Sequence, residues 1–136
     1  MAALSSSGRA SAEEAAVALD LAEVFRTVDR MDAKGFASYF TDDGTFRFGN
    51  APEAKGKSEI KEAVTNFFSS IKALRHSVVD EWVDGPVQIA EVEVTYTRHD
   101  DSTVDLTAAC VFRTEGDRCF DYRIYMDISP LYASNA

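Results

Sequence analysis

The stretch VQIAEVEVTYTR, residues 87–98, alternates polar and apolar side chains strictly from Glu91 to Thr97. TVDLTAACVF, residues 103–112, takes up a similar alternation after the turn His99-Asp100-Asp101. Successive side chains of a strand point to opposite faces, so this pattern predicts strands with one buried side. His76 to Trp82 and Cys119 to Asp127 read as two further strands, with Asp84-Gly85-Pro86 and Glu115-Gly116-Asp117 as the turns between neighbours. Consecutive strands joined by such short turns predict an antiparallel meander.

Across these strands, and in Thr45-Phe46-Arg47-Phe48 before them, the even-numbered positions form the apolar set. One face is expected to carry Phe46, Phe48, Val78, Trp82, Val92, Val94, Tyr96, Val104, Leu106, Ala108, Cys110, Phe112, Phe120, Ile124 and Met126. The other carries Glu91, Glu93, Thr95, Thr97, Thr103, Asp105, Thr107, Asp121, Arg123 and Asp127. Only the first face needs covering.

The segment ahead of the strands supplies the cover. Ser11 stands three residues before Glu14, the spacing of a capping box, and Ala15, Leu19, Leu21, Val24, Phe25, Val28 and Met31 follow at helical spacing. This predicts a long first helix over 11–31. Asp32 is placed to cap a short second helix ending near Phe40, closed by the acidic turn Thr41-Asp42-Asp43-Gly44. After a loop to Gly56, a third helix is expected from Ser58, its stripe marked by Ile60, Val64, Phe67, Phe68, Ile71 and Leu74. The fold class is therefore α+β: three N-terminal helices packed on a curved, mainly antiparallel sheet around an apolar, dead-end pocket.

A length of 136 residues with 46% apolar side chains suits one domain, expected over 11–132, between a disordered N-terminal segment 1–10 and a tail 133–136. A net charge of −9 repels polyphosphates, and no stretch interleaves basic and aromatic residues, so nucleic acid is not an expected partner. No apolar run approaches the roughly 20 residues that cross a bilayer, and no signal peptide is recognisable; the plain expectation is a cytoplasmic chain with no membrane partner. Cys110 and Cys119 lack the spacing of a zinc site and read as free thiols.

The order helix, helix, strand, helix, four strands, with the phrases SYFTDDGTF (residues 38–46) and YRIYMDISPL (residues 122–131), resembles the SnoaL-like branch of the nuclear transport factor 2-like superfamily over about residues 12–132. The resemblance implies a cystatin-like cone. That fold hosts isomerases, dehydratases, epoxide hydrolases, polyketide cyclases and non-catalytic modules, so it does not choose a reaction. Ketosteroid isomerases carry their aspartate base where this sequence has Phe48, and their oxyanion-hole acid near Ala109. The Asp–Arg–Asp set of limonene-epoxide-hydrolase-like enzymes falls at Val94, Val92 and Ile124. Scytalone-dehydratase-like enzymes pair an aspartate at the start of the second helix with a histidine on the first long strand, matching Asp32 and His76. Their second histidine and pocket asparagine have no counterpart here; Ala108 occupies the latter region.

His76 is the sharpest catalytic candidate, because it lies on the inward face and imidazole exchanges a proton near neutrality. Asp32 is its expected orienting partner at the pocket floor, although an N-cap role explains that aspartate fully. Asp80 shares the face of His76 and is expected at the solvated rim, and His99 at the surface. Tyr96 and Tyr122 are candidate ligand contacts through their hydroxyls, and Phe46, Phe48, Trp82, Phe112, Ile124 and Met126 a greasy lining, with close packing as the competing use of the same residues. No metal cluster, phosphate loop or nucleophile motif is present, which leaves acid–base chemistry without a cofactor. The sequence thus points to an enzyme that isomerises, dehydrates, cyclises or hydrates a hydrophobic, oxygen-bearing small molecule, with a non-catalytic ligand-binding or interaction domain as the alternative. A homodimer through the odd-numbered sheet face is expected.

Overall fold

The computed structural model of the chain describes residues 19–133. The elements in order are α1 (Leu21–Asp29), α2 (Ala33–Ala37), β1 (Phe40–Phe48), β2 (Ala54–Lys55), α3 (Gly56–Ser69), β3 (Ala73–Asp84), β4 (Val87–Thr97), β5 (Thr103–Glu115), β6 (Arg118–Tyr125) and α4 (Ser129–Tyr132). The strands form one sheet in the order β2-β1-β6-β5-β4-β3. The expected meander β3 to β6 is antiparallel throughout, and β1 joins it parallel to β6.

The helices cover one face, as the alternation requires, but they are shorter than expected. Asp20 adopts an extended backbone and caps α1, so the helix starts at Leu21 rather than running on from upstream. The Ser11 capping box lies outside the described residues. Met31, with φ 58, ends the first helical segment before Asp32 opens α2, which is only five residues long. Two helices, α1 and α3, therefore supply most of the cover. α3 begins at Gly56, two residues before the expected Ser58, because the Glu59 carboxylate accepts the Lys55 N–H at 2.9 Å and holds the earlier turn. Residues 41–44, expected as a turn, belong to β1 and coincide with a break in its pairing to β6 between Phe40 and Thr45. A Cβ on Gly44 would lie 3.1 Å from the Phe40 ring, so glycine lets that ring close over the strand.

Parity holds through β4 and the inner part of β5, where Ala90, Val92, Val94, Tyr96, Ala108, Cys110 and Phe112 are all buried. It fails at two bulges. In β3 the register steps from Val78 opposite Val92 to Asp80 opposite Glu91, leaving Val79 extra. Trp82 then pairs with Ile89, an outward position, and is 50% exposed. In β6 the register steps from Thr114 opposite Cys119 to Arg113 opposite Asp121, leaving Phe120 extra; it is 42% exposed while Cys119 is buried. One added residue inverts the faces of everything beyond it. Trp82 and Phe120 are thus not on the inner face. Val78 keeps its parity but lies 40% exposed.

The chain enters the core through a side-chain bridge. Gln88 points inward from β4, and its amide accepts from Leu19 N–H at 2.8 Å and donates to Leu19 C=O at 3.0 Å, all buried. At the other end the Arg98 guanidinium donates to the carbonyls of Pro130 and Leu131, both at 2.9 Å, and ties α4 to the end of β4. No helix among the described residues is long and apolar enough to cross a membrane.

Truncating Gln88 would orphan two buried backbone groups, each costing about 1–3 kcal/mol. Gln88→Ala is expected to lower the unfolding free energy by roughly 2–4 kcal/mol, read from chemical denaturation with the m-value unchanged. A loss below about 0.5 kcal/mol would show that the bridge is redundant.

Candidate functional site

Leu21, Val24 and Phe25 form the buried face of α1, and Asp29 follows Phe25 by one helical turn, so a carboxylate ends an otherwise apolar stripe. It meets β3 twice. Asp29 Oδ2 accepts the backbone N–H of His76 at 3.0 Å, and Asp29 Oδ1 lies 2.6 Å from His76 Nδ1. The imidazole also stacks on the Phe25 ring, with centroids 4.9 Å apart and 14° between planes. The His76 side chain is 9% exposed and that of Asp29 21%. A carboxylate at Nδ1 fixes the neutral ring as the Nδ1–H tautomer and leaves the Nε2 lone pair free to act, a proton placement assigned from the hydrogen bonding. Nε2 has no hydrogen-bond partner among the described residues.

The expected Asp32–His76 pair is therefore replaced by Asp29–His76. Asp32 accepts the Gly35 N–H at 2.9 Å as the cap of α2, and a Cβ on Gly35 would collide with its second oxygen. The helix ends two residues sooner than the spacing suggested, and the residue in its last turn, not the one that caps the next helix, reaches β3. The signal was present in the sequence as an aspartate on the apolar face of α1.

Two adjoining cavities occupy the concave side of the sheet. An inner chamber of about 40 Å³ is lined by His76, Tyr96, Tyr122, Cys110, Ile124 and Val28 among others. An outer cavity of about 630 Å³ lies between α3, the end of β1, the loop before β2 and the segment leading into α4. Phe46, Phe48 and Met126 line both, whereas Phe112 lines neither. Phe112 is packed into the core against Tyr122, with ring centroids 3.9 Å apart, and Trp82 is on the opposite face of the sheet. Sequence reasoning overlooked Phe67 of α3, half-buried and shared by both cavities, and the mouth residues Asn50, Asp127, Ser129 and Tyr132. Asn50, Ser129 and Tyr132 sit in a loop and a short helix, which carry no periodicity to announce which way they face, and Asp127, expected on the outer face of a strand over 119–127, lies beyond the end of β6 at Tyr125.

Two phenols of the inner chamber are kept neutral by burial. Burial holds the Tyr96 and Tyr122 phenols well above the usual tyrosine range, so both remain hydrogen-bond donors. Among the described residues the Tyr96 hydroxyl finds only the Met126 sulfur, at 3.8 Å, a weak acceptor. Asp80 is exposed and accepts the Glu81 N–H, and His99 bonds the Ser69 carbonyl at the surface. Among the described residues no group of three or more His, Cys, Asp or Glu is gathered as a metal site.

Burial also pushes the free thiol of Cys110 up to about 11 and that of Cys119 up to about 12. The folded state binds these protons more tightly than the unfolded chain, where cysteine titrates near ~8.5. The stabilisation is complete below that value and is lost as pH rises through the folded values. Unfolding free energy is expected to fall between pH ~9 and pH ~12, less steeply in Cys110→Ala, with both thiols inert to a disulfide reagent at pH ~8 until the chain unfolds. Rapid labelling of the native protein at that pH would contradict it.

Residues 21–122 match the family model of the SnoaL-like domain. Solved structures with the same fold include a Catenulispora acidiphila protein with a ketosteroid isomerase-like fold in complex with trimethylamine, at 14% identity and TM-score 0.75, over 80% of this chain and 85% of that one. A limonene-epoxide-hydrolase-like epoxide hydrolase of Mycobacterium tuberculosis aligns at 12% identity and TM-score 0.69, over 82% and 83%. The epoxide hydrolase/cyclase-like enzyme SalBIII, of pyran ring formation in salinomycin, aligns at 16% identity and TM-score 0.69, over 80% and 88%. No curated protein matches the chain. A family match over most of the described domain, on an NTF2-like, cystatin-like α+β fold with a six-stranded sheet, makes this chain a member of the SnoaL-like domain family.

Proposed function

We propose that this SnoaL-like protein performs cofactor-independent acid–base chemistry on a hydrophobic, oxygen-bearing small molecule, in the class of isomerases, dehydratases, cyclases or hydratases. The observation that carries this reading is the Asp29–His76 pair at the floor of the apolar concavity. His76 is the proton-transfer group, taking a proton at Nε2. Asp29 is the positioning residue, which accepts from Nδ1–H and stabilises the imidazolium that forms. Tyr96, a buried donor held by a sulfur, is placed to bond a substrate oxygen as charge develops there. Proteins of the same fold include an epoxide hydrolase and an epoxide hydrolase/cyclase-like enzyme of pyran ring formation, which supports a reading as chemistry at an oxygen-bearing group.

The test is turnover across a panel of epoxides, β-hydroxy ketones and phenolic ketones. With any active substrate, His76→Ala is expected to lower turnover by about 100-fold or more and Asp29→Asn by a smaller factor. Asp32→Ala is expected to cost about 1 kcal/mol of stability and leave turnover per folded molecule unchanged. Full activity of a folded His76→Ala protein would remove His76 from the proton transfer, whereas binding without turnover across the panel would favour the non-catalytic ligand-binding reading instead.

The homodimer is proposed to use the outer sheet face, where Trp82, Ile89 and Val111 lie in one cross-strand row. A dimeric mass by light scattering at micromolar concentration is the expected outcome, with Trp82→Glu shifting it to the monomer; a monomeric wild type overturns it.

A further inference from the structure

Five side chains, Phe46, Phe48, Val64, Phe67 and Met126, line both cavities and so form the wall between them. Within that wall Phe48, at the end of β1, and Phe67, on α3, face each other with centroids 4.9 Å apart and 55° between planes. Phe67 in turn meets Tyr96 edge-on at 5.9 Å and 87°, and Tyr96 belongs to the inner chamber. α3 buries Ile60, Val64 and Phe68 in the core, while Phe67 is only half-buried and borders the outer cavity.

The two volumes set what can pass. An apolar cavity of about 150 Å³ takes a benzene ring, and one water needs roughly 10–15 Å³. The inner chamber, at about 40 Å³, falls between these, so it accepts one or two small polar groups and no ring. The outer cavity, at about 630 Å³, is in the range of small-molecule sites. Its wall includes Pro52, Ile128 and the shared aromatics, and its polar groups, Asn50, Asp127, Ser129 and Tyr132, come from the loop before β2 and the start of α4.

We propose that the Phe48–Phe67 pair is a specificity filter: it lets a thin oxygen-bearing tip, a hydroxyl or a carbonyl, through to His76 and holds the ring or branched body of the ligand in the outer cavity. The inference rests on the reading of this concavity as the substrate site. Phe67 and Phe48 are then specificity-determining residues that touch the ligand at the junction of tip and body. The substrate class narrows to molecules whose reacting oxygen is terminal and unbranched on an apolar body.

The filter is read without turnover, from the imidazole nitrogen signals of His76 in the labelled protein, with the surface His99 as internal control. Biphenyl-4-ol and 4-tert-butoxybiphenyl are the probes, sharing a body and differing in the bulk at the oxygen. In the wild type only biphenyl-4-ol is expected to shift the His76 signals, while both perturb Phe67 and Tyr132. In Phe67→Ala both probes should shift His76; Phe67→Leu, which keeps an apolar side chain without the ring, serves if the alanine variant does not fold. Equal His76 shifts from both probes in the wild type, an unchanged discrimination in the folded variant, or no perturbation by either probe would each overturn the filter. Loss of the catalytic reading, an active His76→Ala protein, leaves these shifts unaffected, so the two failures are distinguishable.

Discussion

Everything in this domain depends on the pleat of one sheet, because a period of two residues decides which side chains meet the helices and which meet water. The inner face is built from β4, β5 and the paired parts of β1, β3 and β6, and it is concave and apolar. Among the described residues α1 and α3, of nine and fourteen residues, are the long helices set against this sheet of six strands. The cavities lie on the concave side between α3 and the sheet, and the candidate site is read from that arrangement.

The same constraint explains how far the sequence could be read. β4 and the inner half of β5 were legible residue by residue because no insertion disturbs their alternation. Trp82 and Phe120 were misplaced because a bulge lies between each of them and the regular part of its sheet, and a one-residue bulge leaves no compositional mark. α1 was drawn too long for a related reason. Leu19 and Asp20 fit a helical stripe, yet Leu19 spends its backbone groups on Gln88, which removes it from the helix ladder. That bond joins residues 69 positions apart, a relation that local pattern cannot contain.

At the candidate site, the sequence singled out the histidine and paired it with Asp32, whereas the structure pairs it with Asp29. His76 is marked by being a lone ionisable group in an inward, apolar series. An aspartate before a short helix, Asp32, looked like the better acceptor, because capping aspartates are common and the family resemblance favoured it. The structure divides the two roles between two residues: Asp32 satisfies the open end of α2, and Asp29 ties α1 to β3. A carboxylate in the last turn of a helix opposes the helix dipole. Two hydrogen bonds from one residue offset that opposition, and both would be lost if the strand slipped in register.

The energetics of the inner chamber favour use over mere packing. A buried polar atom without a good partner costs on the order of 1–3 kcal/mol, and among the described residues Nε2 of His76 has no partner and the hydroxyl of Tyr96 has a thioether acceptor. Phenylalanine at either position would keep the aromatic packing with Phe25 or Phe67 and remove the cost. The Asp29 carboxylate would then keep only the backbone N–H of residue 76 and lose its bond to the ring. Histidine, aspartate and tyrosine together leave a lone pair at Nε2 and a phenol proton in the chamber with no strong partner among the described residues. A chamber of about 40 Å³ has room for one or two small polar groups beside these atoms and none for a ring.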